Sequence, residues 1–118
     1  MAAGLFSVAV LNVNNIRDMK TDAENGKYTL ALRLGALKAR QYHLGLVFTG
    51  LLCWVFYFLL YCNYWYLLLL IASLPLTYSA LMVYKTYNEL VLDKLLKVTA
   101  LSAGVFHIFI AIILMALA

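Results

Sequence analysis

The residues of this chain that could do chemistry are crowded into one stretch. It reads Asn14-Asn15-Ile16-Arg17-Asp18-Met19-Lys20-Thr21-Asp22, with Gly26 and Lys27 just beyond. Asn14, Asp18 and Asp22 are spaced i, i+4, i+8, so a helix running through them presents all three on one stripe. Two carboxylates one turn apart, with an amide oxygen beside them, are hard oxygen ligands. They suit Mg²⁺, which takes one or two protein carboxylates and leaves its other positions to water and phosphate. Zinc and copper prefer imidazole and thiolate and are poorly served here. Arg17, Lys20 and Lys27 surround the stripe, so the segment can meet an anion that arrives with its cation. The same charges also suit the solvated end of a helix, and spacing alone leaves both readings open. Gly26-Lys27 is not a P-loop, because the upstream glycine is missing and Tyr28 stands where Ser or Thr is required.

The elements that position this stretch are apolar helices. Of the 118 residues, 66 % are hydrophobic and 12 % charged, and the mean hydropathy is +0.92. A soluble domain is about 45–50 % apolar and 25 % charged. An ordinary soluble domain and a disordered chain are both excluded. The net charge of +4 beside so much apolar surface fits a lipid bilayer, and no nucleic-acid partner is expected.

The charges fall in two blocks, Arg17 to Arg40 and Lys85 to Lys97. Residues 41–84 carry none, and as a helix they would run about 66 Å, roughly twice a bilayer core of ~30 Å. Two spans are expected, near 43–62 and 65–84, with a turn at Cys62-Asn63-Tyr64. Trp54, Tyr57, Tyr61, Tyr64, Trp65 and Tyr66 cluster there like an interfacial belt. Pro75 is expected to kink the second span. A third span is expected at 98–117. Met1 to Val13 is apolar but short, and reads as a helix whose beginning is clipped.

This layout puts segment 14–41 and an amphipathic loop at 85–97 on one side, with all nine Lys and Arg. By the positive-inside rule that side is cytoplasmic and the C-terminus lies outside. Within the segment, Gly26 is expected to end one helix with a left-handed cap and Thr29 to start the next. Cys53 and Cys62 point to opposite faces of one helix and cannot bridge. Tyr42 and His43 are expected as interfacial anchors. His107 is expected as a neutral imidazole hydrogen-bonded to a neighbouring helix, and Ser102-Ala103-Gly104 as a site of close packing.

The string from Asn14 to Gly35, N-N-x-R-D-x-x-x-D-x-x-x-G-K-x-T-L-A-x-R-L-G, resembles the second aspartate-rich motif of the UbiA superfamily of intramembrane prenyltransferases. It is most similar to the branch that prenylates 1,4-dihydroxy-2-naphthoate in menaquinone biosynthesis. The resemblance implies an all-α bundle in the plasma (inner) membrane. It implies Mg²⁺-dependent transfer of a polyprenyl group from polyprenyl pyrophosphate to the aromatic acceptor. It implies Asn14, Asp18 and Asp22 as metal ligands, Asp18 and Asp22 as the catalytic pair, and Lys27, Arg17 and Arg33 as contacts to pyrophosphate.

The family's first motif, N-D-x-x-D-x-x-x-D, does not occur in these residues. The chain is therefore expected to be a single membrane domain, residues 1–118, equivalent to the C-terminal part of such a bundle. It would have three full membrane helices and one clipped helix, with the N-terminal half as its partner and no activity alone. Two other functions compete. One is a non-enzymatic small membrane protein or subunit, and the other is a prenyltransferase for another aromatic acceptor such as 4-hydroxybenzoate. A carrier subunit is disfavoured, because no acid lies within an expected span.

Overall fold

The computed structural model describes residues 1–61 and 70–117. Among them the regular elements are helices: α1 (Ala2–Arg17), α2 (Met19–Glu24), α3 (Leu30–Leu34), α4 (Ala36–Tyr61), α5 (Leu74–Lys85) and α6 (Glu89–Leu117). The body is elongated, 51 × 22 × 21 Å. Helix α1 packs on α4 and α6, and α5 packs on the same two, so the four close a ring in the order α1, α4, α5, α6. The short α3 lies across α1 and α4.

Two of these helices, Ala36–Tyr61 and residues 89–116 of α6, are long and apolar enough to cross a membrane. Both turn large apolar side chains outward, among them Leu52, Phe56, Leu60, Leu101, Ile108 and Ile112. Water would penalise such a surface, whereas lipid does not. The interior is apolar too. Phe6, Phe58, Phe106 and Ile110 fill one layer, and Val13, Ile16, Val83 and Leu92 fill a second nearer the charged end.

The architecture departs from the sequence expectation in several places. The expected first span at 43–62 begins earlier, because α4 starts at Ala36 and carries Arg40 and His43 into the interior. Arg40 stays buried by giving its donors to the Ala36 carbonyl (2.7 Å) and the Thr86 carbonyl (3.0 Å), with its guanidinium over the Tyr87 ring. His43 is no interfacial anchor. It is fully buried beside the Ala9 backbone, and neither ring nitrogen makes a well-formed hydrogen bond.

Of the expected span at 65–84, residues 65–69 lie outside the described residues, as do the expected turn at 62–64 and Cys62. The described part is a 3₁₀ turn at 70–73 leading into α5. Pro75 does not kink a helix. It sits in the first turn of α5, where its missing N–H costs nothing and its fixed φ starts the helix. The separate amphipathic segment expected at 85–97 is absent as such. Only Thr86–Asn88 connect α5 to α6, and the Asn88 side chain caps α6 by accepting from Leu90 N–H at 2.9 Å. The charged residues from Glu89 onward are therefore the first turns of the same helix that includes the third expected span at 98–117.

Two interior details govern the packing. His107 Nδ1 donates to the Ala103 carbonyl of its own helix (2.9 Å), and not to a neighbour. Its ring packs against Phe6, Trp54 and Phe106, so Trp54 faces the bundle rather than an outer belt. Ala103 joins the core as expected of a small residue, while Gly104 borders an open cleft beside α1. The tightest approach is at Gly50. A Cβ there would overlap the buried Phe6 ring. We expect Gly50→Ala to lower stability by about 1–3 kcal/mol, the range for overpacking a filled core. Thermal unfolding in detergent reads this, and Phe6→Leu in the same chain should restore part of the loss. An unchanged midpoint for Gly50→Ala would contradict the described packing of α1 on α4.

Candidate functional site

The charged end of the bundle is built at a bend between two helices. α1 ends at Arg17 and α2 begins at Met19, yet Asp18 N–H still donates to the Asn14 carbonyl (3.0 Å) and Asp22 N–H to the Asp18 carbonyl (2.8 Å). These two i→i+4 bonds link Asn14 to Asp18 and Asp18 to Asp22 across the bend, so the three follow one another along one line as the spacing predicts. α2 closes with a Schellman cap. Lys27 N–H reaches the Asp22 carbonyl (2.9 Å), Gly26 N–H reaches the Ala23 carbonyl (3.2 Å), and Gly26 adopts φ +70°. Thr29 Oγ1 then accepts from Leu32 N–H (3.4 Å) and starts α3. Both local expectations for this segment, at Gly26 and Thr29, correspond to what is observed.

The cap has a chemical consequence. It folds Lys27 back over the helix end, with Nζ 3.4 Å from a carboxylate oxygen of Asp22, itself buried. Lys27 and Arg33 then line one shallow cleft with Ala23, Gly26, Tyr28 and Leu32. Arg17 goes elsewhere. Its Nε and one Nη hold both oxygens of Asp18, at 2.7 and 2.9 Å. The same Nη donates to Asn14 Oδ1 at 2.9 Å, and the other Nη donates to Asp93 at 2.8 Å. Lys97 pairs with the second oxygen of Asp93 at 3.2 Å.

Of the residues that the sequence singled out, Asn14, Arg17 and Asp18 share one set of hydrogen bonds and Asp22 and Lys27 form a separate ion pair, while sequence reasoning missed Asp93. That residue lies 76 positions from Arg17 along the chain. Only the packing of α6 against α1 brings it in, and its i+4 spacing from Glu89 gave no sign of a partner.

The Arg17 hydrogen bond is the largest influence on Asp18, and it holds that carboxyl below the usual carboxylate range. Arg17 is in turn stabilised as a cation, chiefly by the same bond. The oxygens of Asn14, Asp18 and Asp22 match a hard divalent cation in chemistry. Each carboxylate is at present occupied by a base. Among the described residues no group of three or more His, Cys, Asp and Glu is assembled for a metal.

Among the described residues the fold is all-helical, with two helices long and apolar enough to cross a membrane and an acid–base cluster at one end, the form of a helical membrane protein. Residues 1–103 match the UbiA prenyltransferase family, and the chain belongs to it. Relatives named 1,4-dihydroxy-2-naphthoate octaprenyltransferase are similar over part of the chain. The Escherichia coli protein is 54 % identical over 52 residues, which is 44 % of this chain and 17 % of the relative. The Haemophilus influenzae protein is 42 % identical over 76 residues, 64 % of this chain and 25 % of the relative. That of Mycobacterium leprae is 47 % identical over 53 residues, 44 % and 18 % of the two. The chain thus spans about a quarter or less of the length of these relatives. No solved structure matches it.

The Arg17–Asp18 pair predicts a pH dependence. A carboxylate whose folded pKa is lowered contributes stability that is complete above its unfolded pKa of about 3.9, and loses it as pH falls through the folded value. We expect Asp18→Asn to destabilise the chain at pH 7 by about 0.5–1 kcal/mol, the upper part of the range for a partly exposed pair. The gap from the unaltered chain should close as the medium is acidified below about pH 4. Unfolding midpoints measured between pH 7 and pH 3 give the test, and a gap that stays constant across that interval would refute the pairing.

Proposed function

We propose that this chain takes part in Mg²⁺-dependent transfer of a polyprenyl group from polyprenyl pyrophosphate to an aromatic acceptor. The acceptor is 1,4-dihydroxy-2-naphthoate, and the step belongs to menaquinone biosynthesis. One observation carries the reading. Asp18 and Asp22 lie one turn apart, joined by an i→i+4 backbone hydrogen bond, at the charged end of an apolar bundle, beside a cleft lined by Lys27 and Arg33. Membership of the UbiA family and the names of the relatives support it.

The division of labour follows from residue chemistry. Asn14, Asp18 and Asp22 would hold the cation through oxygen. Mg²⁺, when bound, neutralises charge on the leaving pyrophosphate. Lys27 and Arg33 donate to phosphate oxygens from the cleft they share, and Arg17 offers a bidentate edge of the kind that phosphate accepts. Loss of pyrophosphate from the allylic carbon of the donor leaves a cationic centre. The ring carbon bearing the acceptor's carboxyl group attacks it, and that carboxyl leaves as carbon dioxide. The apolar flank of the bundle is where the prenyl chain would lie, out of water.

The setting is the inner membrane, with the charged end in the cytoplasm and the C-terminus outside. All nine Lys and Arg lie between residues 17–40 and 85–97. The contacts Arg17–Asp93 and Arg40–Thr86 gather those two blocks at one end of the bundle. Such an asymmetry follows the positive-inside rule.

In membranes containing the polypeptide that carries this sequence, supplied with Mg²⁺ and polyprenyl pyrophosphate, we expect prenylated naphthoate when 1,4-dihydroxy-2-naphthoate is the acceptor. Asp18→Ala and Asp22→Ala should each reduce it at least roughly a hundredfold, the scale for removing a group that stabilises transition-state charge. Mass spectrometry of the product decides. Full product from both variants would overturn the site, and a prenylated 4-hydroxybenzoate in its place would reassign the acceptor.

A further inference from the structure

The Arg17 guanidinium has three acceptors on two different parts of the fold. Asp18 and Asn14 belong to the motif itself, whereas Asp93 stands on the first turns of α6. The geometry of the fork separates their roles. Nε and one Nη form the edge that grips Asp18 in bidentate fashion, and the other Nη points to Asp93. Asp93 is itself held by Lys97 one turn further along α6, so its carboxylate is fixed from a second side.

We propose that Asp93 is a positioning residue, which keeps Arg17 at the mouth when Asp18 changes partner. This rests on the function proposed above. When the Asp18 oxygens turn to a cation that arrives with pyrophosphate, Arg17 loses its strongest acceptor. Asn14 would turn to the same cation, so with Asn14 and Asp18 as its only partners the side chain would be released into solvent and its ordering would have to be regained. Asp93 retains one Nη, and the vacated Nε/Nη edge then faces outward with the planar spacing that two phosphate oxygens accept. No bond is made or broken by Asp93. It acts through Arg17, and it touches no substrate.

The test uses the whole chain in lipid nanodiscs, with inorganic pyrophosphate and Mg²⁺ as probes. Pyrophosphate affinity and the Mg²⁺ concentration for half-saturation are read by calorimetry. Thermal unfolding without metal is read in parallel. We expect Asp93→Ala and the isosteric Asp93→Asn to raise the half-saturating Mg²⁺ and weaken pyrophosphate binding about three- to fivefold, as for one charge pair near water. Asp93→Glu, which keeps the carboxylate, should stay within about twofold of the unaltered chain by the same measure. Glu89→Gln removes an equal charge one turn away and should change nothing. In an Arg17→Ala background, Asp93→Ala should add no further loss in either readout, because a residue that acts through Arg17 has nothing left to position.

A purely structural tie would lower the unfolding midpoint while leaving the Mg²⁺ dependence untouched, and that result would overturn the role. So would additive losses in the double variant, or an equal loss in Glu89→Gln. Absence of any Mg²⁺-dependent pyrophosphate binding by the unaltered chain would remove the proposed function, and this role with it. Normal binding with an indifferent Asp93 removes the role alone.

Discussion

Everything at the charged end hangs on the Arg17 guanidinium. It ties the aspartate motif to α6, with hydrogen bonds of 2.7 to 2.9 Å to Asp18 and Asn14 on one side and to Asp93 on the other. A guanidinium can do this and an ammonium cannot, because its donors are set in a rigid plane and point in different directions at once. The bend at Asp18 follows. Asp18 closes the last turn of α1, opens α2, and at the same time turns its carboxylate back onto the residue before it. A helix that ran straight through would lack this local closure, and the motif would project from the bundle instead of lying against it.

Deeper in the bundle the same economy recurs, with polar groups used as ties between helices. Asn12 donates to the Ala39 carbonyl (2.9 Å) and joins α1 to α4. Ser79 and Thr99 share a hydrogen bond of 2.6 Å between α5 and α6, and Thr99 also donates to the Leu95 carbonyl of its own helix. Arg40 links the start of α4 to the connector before α6. Each such bond contributes only about 1 kcal/mol. Their value in an apolar setting is direction, since hydrocarbon packing alone leaves the rotation of one helix against another weakly specified. Together they hold the two charged blocks at the same end, which is the condition for Arg17 to meet Asp93.

The local features were legible because local chemistry determines them. A glycine after a short polar helix reads as a left-handed cap, and a threonine before Leu30 reads as a helix start; both are found where expected. The spacing of Asn14, Asp18 and Asp22 survived because i→i+4 bonds join Asn14 to Asp18 and Asp18 to Asp22 across the bend. The failures all involve contacts between distant segments. Pro75 carries the same signal inside a span as at a helix start, and only the course of the chain before it distinguishes them. Glu89 to Lys97 has the pattern of a surface helix, but packing against α5 and α1 recruits it into α6. His43 and Arg40 looked like interfacial residues by type. They are interior because α4 begins about two turns before the expected span, at a point set by Gly35 with its φ of +80°. Asp93 had no sequence signal at all, since its partner is 76 residues away.

The charge arrangement also constrains how a mouth of this kind works under the proposed function. Asp18 and Asp93 are balanced by Arg17 and Lys97, and Asp22 is balanced by Lys27. A bare divalent cation approaching these carboxylates must displace bases already bound to them, and it gains little in doing so. A bare pyrophosphate is drawn to Lys27 and Arg17 but leaves Asp18 and Asp22 uncompensated beside it, two carboxylates against a polyanion. Brought together, the two ligands resolve both costs: the bases move from carboxylate to phosphate, and the carboxylates move from base to cation. The exchange conserves the number of opposite-charge contacts while changing every partner. Under the proposed function, a mouth whose carboxylates are each already paired with a base would take up the cation and the pyrophosphate together rather than singly.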